Sequence, residues 1–393
     1  MNQNLQSNIW KYTIASVANK RIFVAILGAY YLTIQGVDAQ VIGIITLCAS
    51  LASFVFEIPS GYVSDKIGHK EALIISRIAL LLSSVCFLFA SNIALLIVAS
   101  IFLSIGSAFN SGTASAFMHE TLKSLGRDSE YSSVMGKISS IGFGVPIILT
   151  VLIPFFVSIS YKIPFLVMAI IDVVGLIAIL ALVKPPATQM SIEEVQASNF
   201  KQVFKEAYRL NYFTIATFSG IISAVLLGIS AFRAPFQIGL GIPVIWFGVF
   251  IGLGRALASL ILIYSTRVEK YFTLVSFYRF QYILHILLII GMAITQNVYV
   301  VVTLLIINSG FHWGISKIDE GYQLKVIRES KFKATMLSIG AQIESALTAG
   351  IGFLMGWIIV RTSYDTGFLY IAVIAGIILT ALHIRMMRIY RGM

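Results

Sequence analysis

Five side chains able to bind and release a proton occur within or beside long apolar runs of the sequence: Glu57, His119, Glu120, His312 and Glu344. A charged group in an apolar environment costs free energy unless it faces water or a partner, so such residues mark pathways for ions and protons. A carboxylate whose charge is disfavoured in this way can take up a proton near neutral pH. The five residues are therefore candidates for proton coupling.

Two of these acids also have structural interpretations. Glu57 shares a helical stripe with Gly61 and Asp65 at i, i+4 and i+8, which favours a role in a gate over a proton site. Glu344 and Arg255 each lie about 15 Å into their apolar runs at a rise of ~1.5 Å per residue. This pair is either a fixed salt bridge or a charge pair that opens when substrate or a proton competes.

A second set of side chains could contact a small solute. Polar residues recur at steps of three or four, and so share a helix face, in two apolar runs: Ser104, Ser107, Ser111, Ser115 and His119 in one, and Ser309, His312, Ser316, Glu320 and Gln323, flanked by Lys317 and Asp319, in the other. The candidate substrate-binding residues are Tyr30, Tyr31, Gln35, Asn110, Ser111, Arg255, Asn308, His312 and Trp313. Small polar residues also permit close helix packing, which is the alternative for the serines.

Other charged positions in these runs have simpler explanations. Asp319 and Glu320 lie close enough to the end of their run to be solvated there. Asp172 is as deep as Glu344, and we expect it to pair with Arg77.

The composition decides what kind of chain positions these residues. Hydrophobic side chains make up 58% of 393 residues and charged ones 11%, against about 25% charged in ordinary soluble domains. The mean hydropathy of +0.91 is spread along the whole length. A soluble protein and a singly anchored one are both excluded, and the two cysteines, both inside apolar runs, form neither a disulfide framework nor a metal-binding cluster.

Apolar runs of about 20 residues are expected to be membrane helices, because lipid leaves no backbone polar group a partner outside the helix. Twelve such runs occur, at roughly 20–37, 41–64, 72–91, 94–120, 135–158, 164–183, 211–232, 244–266, 273–295, 298–320, 334–358 and 366–387. We therefore predict an all-α membrane protein with two pseudo-symmetric six-helix bundles, 1–183 and 211–393, joined by a cytoplasmic loop at 184–210. Equal halves of this kind are typical of duplicated transporter scaffolds.

The basic excess, Lys+Arg 28 against Asp+Glu 17, records orientation. Nearly all loop Lys and Arg residues fall on the side of the two termini, and only Lys162, Arg233 and Arg361 fall on the other. By the positive-inside rule both termini are cytoplasmic, in a bacterial inner membrane, and the +11 net charge needs no nucleic acid. The polar amino-terminal segment, with Trp10, Tyr12 and Ile14, is expected to lie in the cytoplasmic interface.

A loop motif between the second and third runs resembles a known signature. Gly61, Asp65, Gly68, His69, Lys70 and Leu73 are spaced as in the major facilitator superfamily motif Gly-x3-Asp-x2-Gly-basic-basic-x2-Leu, with His69 in place of the usual arginine. The glycines suit a close helix approach at Gly61 and a tight turn at Gly68. The resemblance implies that Asp65 holds an inner gate shut by contacting Lys331, Lys333 and the amides near Ala334 and Thr335.

The resemblance and the proton candidates together predict a secondary transporter that works by alternating access. It has no enzymatic activity and no cofactor, and a proton gradient drives it; the partners are a small molecule, protons and the bilayer, and the chain is a monomer. No Gly-x4-Gly-Lys-Ser/Thr phosphate loop occurs, which excludes ATP-driven pumping by this chain alone. Proton-coupled export of a drug-like or siderophore-like molecule is the favoured activity, and proton-coupled import of a polar metabolite or siderophore is the alternative. A membrane-embedded enzyme and a lipid flippase stay open as less favoured interpretations.

Overall fold

The computed structural model describes residues 2–186, 200–264, 271–327 and 333–390. Every regular element in these ranges is a helix. The α-helices are α1 (Asn2–Ala18), α2 (Leu27–Tyr31), α3 (Ala39–Ile67), α4 (His69–Phe89), α5 (Ile93–Asn110), α6 (Thr113–Ser124), α7 (Tyr131–Leu152), α8 (Ile163–Leu180), α9 (Phe200–Arg209), α10 (Tyr212–Ser230), α11 (Arg233–Gly239), α12 (Phe247–Ile263), α13 (Leu274–Ile294), α14 (Val298–Ile327), α15 (Lys333–Arg361) and α16 (Tyr364–Ile389).

Eleven helical segments of the described chain are long and apolar enough to cross a membrane. The remaining predicted span, 20–37, contains a 3-10 turn at Ile22–Ala25 and the five-residue helix α2, each too short to qualify. The chain is therefore a multi-pass membrane protein of all-α class, as the apolar runs predict.

Local sequence signals set several helix ends. The side chains of Asn92 and Ser363 accept hydrogen bonds from the amides of Leu95 and Thr366, at 2.9 and 3.1 Å, and so cap α5 and α16. Gly68 separates α3 from α4 with a φ of +129°, and a Cβ there would meet Glu71 Oε2 at 2.5 Å. The tight turn predicted at Gly68 is confirmed.

The chain separates into two compact units, Met1–Gly36 with Leu51–Ile192, and Val37–Ser50 with Glu193–Met393. The stretch Val37–Ser50, which the sequence division places in the first half, packs with the second unit. Within the first unit α1 packs on α7 and α8, and α4 packs on α5 and α8. Within the second, α10 packs on α15 and α16, and α13 packs on α16, so the two units repeat several helix pairs.

The amino-terminal segment is helical from Asn2. Tyr12, on α1, is 7% exposed in an apolar core, whereas Trp10 is 58% exposed. The helix ends at Ala18, and Arg21 has extended backbone angles before the 3-10 turn. Asn8 of this helix exchanges hydrogen bonds with the backbone of Val183 at 2.8 and 2.9 Å. The predicted interfacial location of the segment stays a prediction.

The predicted fourth span, 94–120, is two helices. α5 ends at Asn110 and α6 begins at Thr113, with Gly112 between them at a φ of +71°. The backbone amide of Thr113 donates to the carbonyl of Ser111 at 2.7 Å, which tightens the turn. The predicted central loop, 184–210, likewise contains the short helix α9.

Candidate functional site

The first unit contains a cluster of buried charges around Asp172 of α8. The Arg21 guanidinium donates to both carboxylate oxygens at 2.8 Å, Ser84 Oγ donates at 2.6 Å, and Arg77 Nη1 lies 3.7 Å away. Arg21 also donates to the carbonyl of Ala18 at 2.5 Å, where α1 stops. Asp172 is fully buried, and the cluster ties α1, α4 and α8 together.

Arg21 lies outside the regular helices, between α1 and the 3-10 turn, but it is not a solvated loop residue. Its side chain is only 10% exposed and is bonded to the deepest acid of the unit. The predicted Asp172–Arg77 pair is present, but the shorter and bidentate contact is with Arg21. The prediction missed it because a break in the first helix cannot be seen in an apolar run.

The gate motif is arranged around a histidine. His69 Nδ1 lies 2.7 Å from Ser64 Oγ, and His69 Nε2 lies 3.4 Å from Glu120 Oε1 of α6. His119, predicted beside Glu120 as a proton pair, is instead exposed and packs edge-on against Tyr131. The two neighbours in sequence thus have different partners, because adjacent helix positions point about 100° apart.

The other motif residues are less constrained. Asp65 is exposed, and its proposed contacts fall partly on Lys331, outside the described residues, and on Lys333, whose side chain is not described. No described atom lies within 4 Å of a Cβ placed on Gly61, and the close approach predicted there stays a prediction. Lys70 Nζ donates to the carbonyls of Leu180 and Leu182 at 2.9 and 2.6 Å.

A polar face runs along α5 and α6. Ser107, Ser111, Ser115 and His119 are exposed on it, and Asn110 is partly exposed at the helix break. Exposed polar groups on a membrane-spanning helix are disfavoured against lipid and favoured against water. The predicted stripe is thus present as an exposed face of the first unit.

Three predicted binding residues lie near α2, and two of them are in the core. Tyr30 is 2% exposed and donates to the carbonyl of Phe87 at 2.7 Å, while Tyr31 lies 3.2 Å from Ser100 Oγ. Both pack as core aromatic residues in this structure, and their predicted contact with substrate stays a prediction. Gln35 is exposed.

The second unit holds an acid with a different kind of surrounding. Asp319 of α14 accepts hydrogen bonds from Tyr278 at 2.5 Å, from Ser219 at 2.7 Å and from Gln323 Nε2 at 2.9 Å. Tyr212 donates to Gln323 Oε1 at 3.1 Å and closes the network. Among the side chains that the structure describes, every donor to this carboxylate is neutral.

A basic and polar cluster lies further along α14 in the same unit. Arg233 Nη2, at the start of α11, donates to Asn308 Oδ1 at 3.1 Å. The charge of Arg233 acts on the rings of His285 and His312, and His312 packs edge-on against Trp313 at 4.9 Å. Arg233 thus lies at the start of a helix and bonds a residue of α14, and its predicted external position stays a prediction.

The remaining candidates, Arg255, Glu344 and Glu57, are partly buried. Arg255 Nη1 is buried without a hydrogen-bond partner in the described chain, so Glu344 does not engage that atom. The proposed Arg255–Glu344 pair stays a prediction, as does the role of Glu57. The side chain of Lys317 lies outside the described residues.

Comparison with known proteins identifies the family. The model described as Major Facilitator Superfamily matches residues 12–318. The chain belongs to the major facilitator superfamily. Its similarity to an uncharacterised MFS-type transporter of Methanocaldococcus jannaschii is 23% identity over 256 residues, 64% of this chain and 65% of that relative, so the match spans just under two thirds of the relative's length.

Solved structures show the same fold. The nucleoside transporter NupG is 15% identical with a TM-score of 0.73, covering 100% of both chains. A POT family transporter in complex with a thioalcohol conjugated peptide is 15% identical with a TM-score of 0.73, covering 98% of this chain and 96% of that one. A bacterial homologue of the human lysosomal transporter Spinster, inward-facing and occupied, is 14% identical with a TM-score of 0.69, covering 99% and 96%.

Membership of the major facilitator superfamily places the chain among membrane transporters of small molecules and not among enzymes. Within this fold the sequence interpretation missed Asp319, because it lies near a helix end where solvation is the simpler explanation. Gln323 at i+4 was a visible signal, since it can bond Asp319 from the same helix face. Ser219 and Tyr278 come from other helices and could not be paired with it from the sequence.

Proposed function

We propose that this chain is a proton-coupled secondary transporter of a small polar organic molecule, working by alternating access without a cofactor. The observation that carries the proposal is the partly buried Asp319 carboxylate, which receives hydrogen bonds from neutral donors of the second unit. A partly buried carboxylate whose described hydrogen-bond donors are all neutral loses solvation in its charged form, and protonation removes that cost.

The network around Asp319 suits both protonation states. When the carboxylate is charged, Tyr278, Ser219 and Gln323 donate to it. When Oδ2 carries a proton, the Ser219 hydroxyl can rotate and accept it, because a hydroxyl is both donor and acceptor. Among the side chains that the structure describes, the titratable groups that act on Asp319 are Glu320, Tyr278 and Tyr212, and none of these three supplies a positive charge.

The position of the network supports a link between protonation and helix movement. A Cβ on Gly340 of α15 would lie 2.7 Å from the Tyr212 hydroxyl and 3.6 Å from Gln323 Oε1. α15 therefore packs directly on the groups that hold Asp319. Further along α15, Gly352 and Gly356 contact Thr46 and Ala39 at the beginning of α3. The single helix α15 therefore packs both on the groups that hold Asp319 and on the beginning of α3.

The polar character of the substrate is supported by the exposed face of α5 and α6 and by the relatives, whose stated cargoes are nucleosides and a peptide conjugate. A lipophilic drug would gain little from that face. Direction is the sign of proton movement: export requires exchange for an entering proton, and import requires a proton to travel with the substrate. The sequence favours export, and transport under an imposed pH gradient distinguishes export from import.

The proposal is tested in proteoliposomes with an imposed pH gradient and a panel of labelled nucleosides, amino acids, short peptides and carboxylic acids. We expect one class to accumulate, or to be expelled, only when the gradient is present. Asp319→Asn preserves the shape of the side chain and removes the titration, so gradient-driven movement is lost while exchange of substrate for substrate continues. If no compound responds to the gradient, proton coupling is wrong.

Asp365→Asn is the matched control, since Asp365 lies in the same unit outside the network and contacts Gln296 at 3.4 Å. It is expected to transport as the unmodified protein does. A readout independent of substrate is the carboxyl band in pH-difference infrared spectra, which should be missing in Asp319→Asn and present in Asp365→Asn. A spectrum identical in all three proteins rejects Asp319 as the proton site.

A further inference from the structure

The second unit contains buried hydrogen-bond donors that have no acceptor. Asn308 is fully buried and its Nδ2 has no partner in the described chain; His285 is 2% exposed, and neither ring nitrogen has one. Arg233 Nε is also buried without a hydrogen-bond partner in the described chain, although Arg233 Nη2 bonds Asn308. Buried polar groups are almost always satisfied in folded proteins, so several orphaned ones in one neighbourhood need an explanation.

The charge of this neighbourhood has one sign. The groups that act on His285 are His312 and Arg233, and Arg233 is the charge that acts on His312. No described carboxylate is among the groups that act on Arg233, His285 or His312. Arg21 and Arg77 of the first unit differ, because both face Asp172.

We propose that Arg233, Asn308, His285 and His312 form a binding site for the carboxylate or phosphate group of the transported molecule. An anion supplies the acceptors that Arg233 Nε, Asn308 Nδ2 and an imidazole N–H lack, and it neutralises the guanidinium. An arginine edge suits the planar carboxylate and the phosphate better than any other side chain. Arg233 and His312 retain some exposed surface, which leaves the site open to a solute.

The site is separate from the proton network. Asn308 and Asp319 are eleven residues apart on the continuous helix α14, or about 16 Å along its axis. The inference rests on the proposed transport function for the identity of the ligand as cargo, but binding itself is measurable without any gradient.

Trp313 provides the probe. It is 52% exposed, it contacts His312, and it is one of four tryptophans; the others, Trp10, Trp246 and Trp357, are also exposed and can be changed to Phe. In this single-tryptophan protein, fluorescence is titrated with benzoate, succinate, inorganic phosphate and glycerol phosphate. Benzamide and glycerol are the uncharged counterparts.

We expect saturable changes with at least one carboxylate or phosphate and none with its uncharged counterpart. Arg233→Gln should weaken that binding about tenfold or more, the usual effect of losing a charged hydrogen-bond donor. Arg279→Gln is the matched control, because it removes an exposed arginine of the same unit, on the same helix α13 as His285, that is not part of the cluster. Equal binding of the uncharged counterpart, unchanged binding in Arg233→Gln, or no binding of any anion to folded protein overturns the proposal.

Two further arms separate the sources of the anion. Titration in nanodiscs of phosphatidylglycerol and of phosphatidylcholine tests a lipid headgroup, and loss of solute binding only in the anionic lipid would assign the site to lipid and reject the cargo role. Anion binding without gradient-driven transport would reject the proposed function and keep the site. Gradient-driven transport of uncharged solutes, without anion binding, would do the opposite.

Discussion

Asp172 and Asp319 lie in different units and meet opposite neighbours. Asp172 is bonded by Arg21 at 2.8 Å and approached by Arg77, while Asp319 receives hydrogen bonds from a tyrosine, a serine and a glutamine. The arginines follow the same division. Arg21 faces an acid, and Arg233, which like Arg21 follows a helix break, bonds an amide.

The difference shows that the buried charges of the first unit pair with one another, whereas Asp319 and Arg233 of the second unit have no described ion-pair partner. In the first unit each charge of the cluster is neutralised by a partner from another helix, so the cluster holds helices together. In the second unit Asp319 and Asn308, the residue that Arg233 bonds, are eleven residues apart on α14, or about 16 Å along its axis. Separated charges of this kind are open to a proton at one end and to an anion at the other.

The largest expected effect comes from removing the acid of the first unit. Asp172→Asn leaves Arg21 and Arg77 buried without a carboxylate, and breaking a buried ion pair by removing one partner costs about 3–5 kcal/mol. We expect a strong fall in the thermal unfolding temperature of the purified protein and low expression. Asp365→Asn should melt as the unmodified protein does, and an equal melting temperature for Asp172→Asn would show that the cluster contributes nothing to stability.

Two single arginine variants, one in each unit, should have smaller effects on stability that differ from each other. Arg21→Gln removes two charge-assisted hydrogen bonds from Asp172 and should cost about 2 kcal/mol, since Arg77 remains. Arg233→Gln removes a buried cation that has no described anion, so stability should be unchanged or slightly higher. Thermal unfolding of the two variants side by side checks this, and a large loss in Arg233→Gln would indicate that Arg233 is a structural residue.

The helical class could be predicted from the sequence because apolar runs of this length have only one stable form in lipid. The turn at Gly68 could be predicted for a similar reason, since few side chains tolerate its backbone angles. Helix breaks at Arg21 and Gly112 were missed, because an apolar run continues through them. Asp319 and Arg233 were missed as site residues because their partners Ser219, Tyr278 and Asn308 are brought to them by packing between helices, which one sequence does not reveal.

The smallest effect concerns Lys70, which the family motif assigns to a gate. Its Nζ bonds two carbonyls at the end of α8, and a cation at that position also interacts favourably with the helix dipole. Lys70→Gln should therefore cost about 1 kcal/mol of stability, measured by thermal unfolding, and leave the rate of substrate exchange almost unchanged. Lys66→Gln is the control, because Lys66 is exposed and its described hydrogen bond is to the Tyr62 hydroxyl of the same helix, not to the end of α8. It should be neutral in both measurements. A fall in exchange rate at unchanged stability would instead assign Lys70 to the gate that the family motif implies.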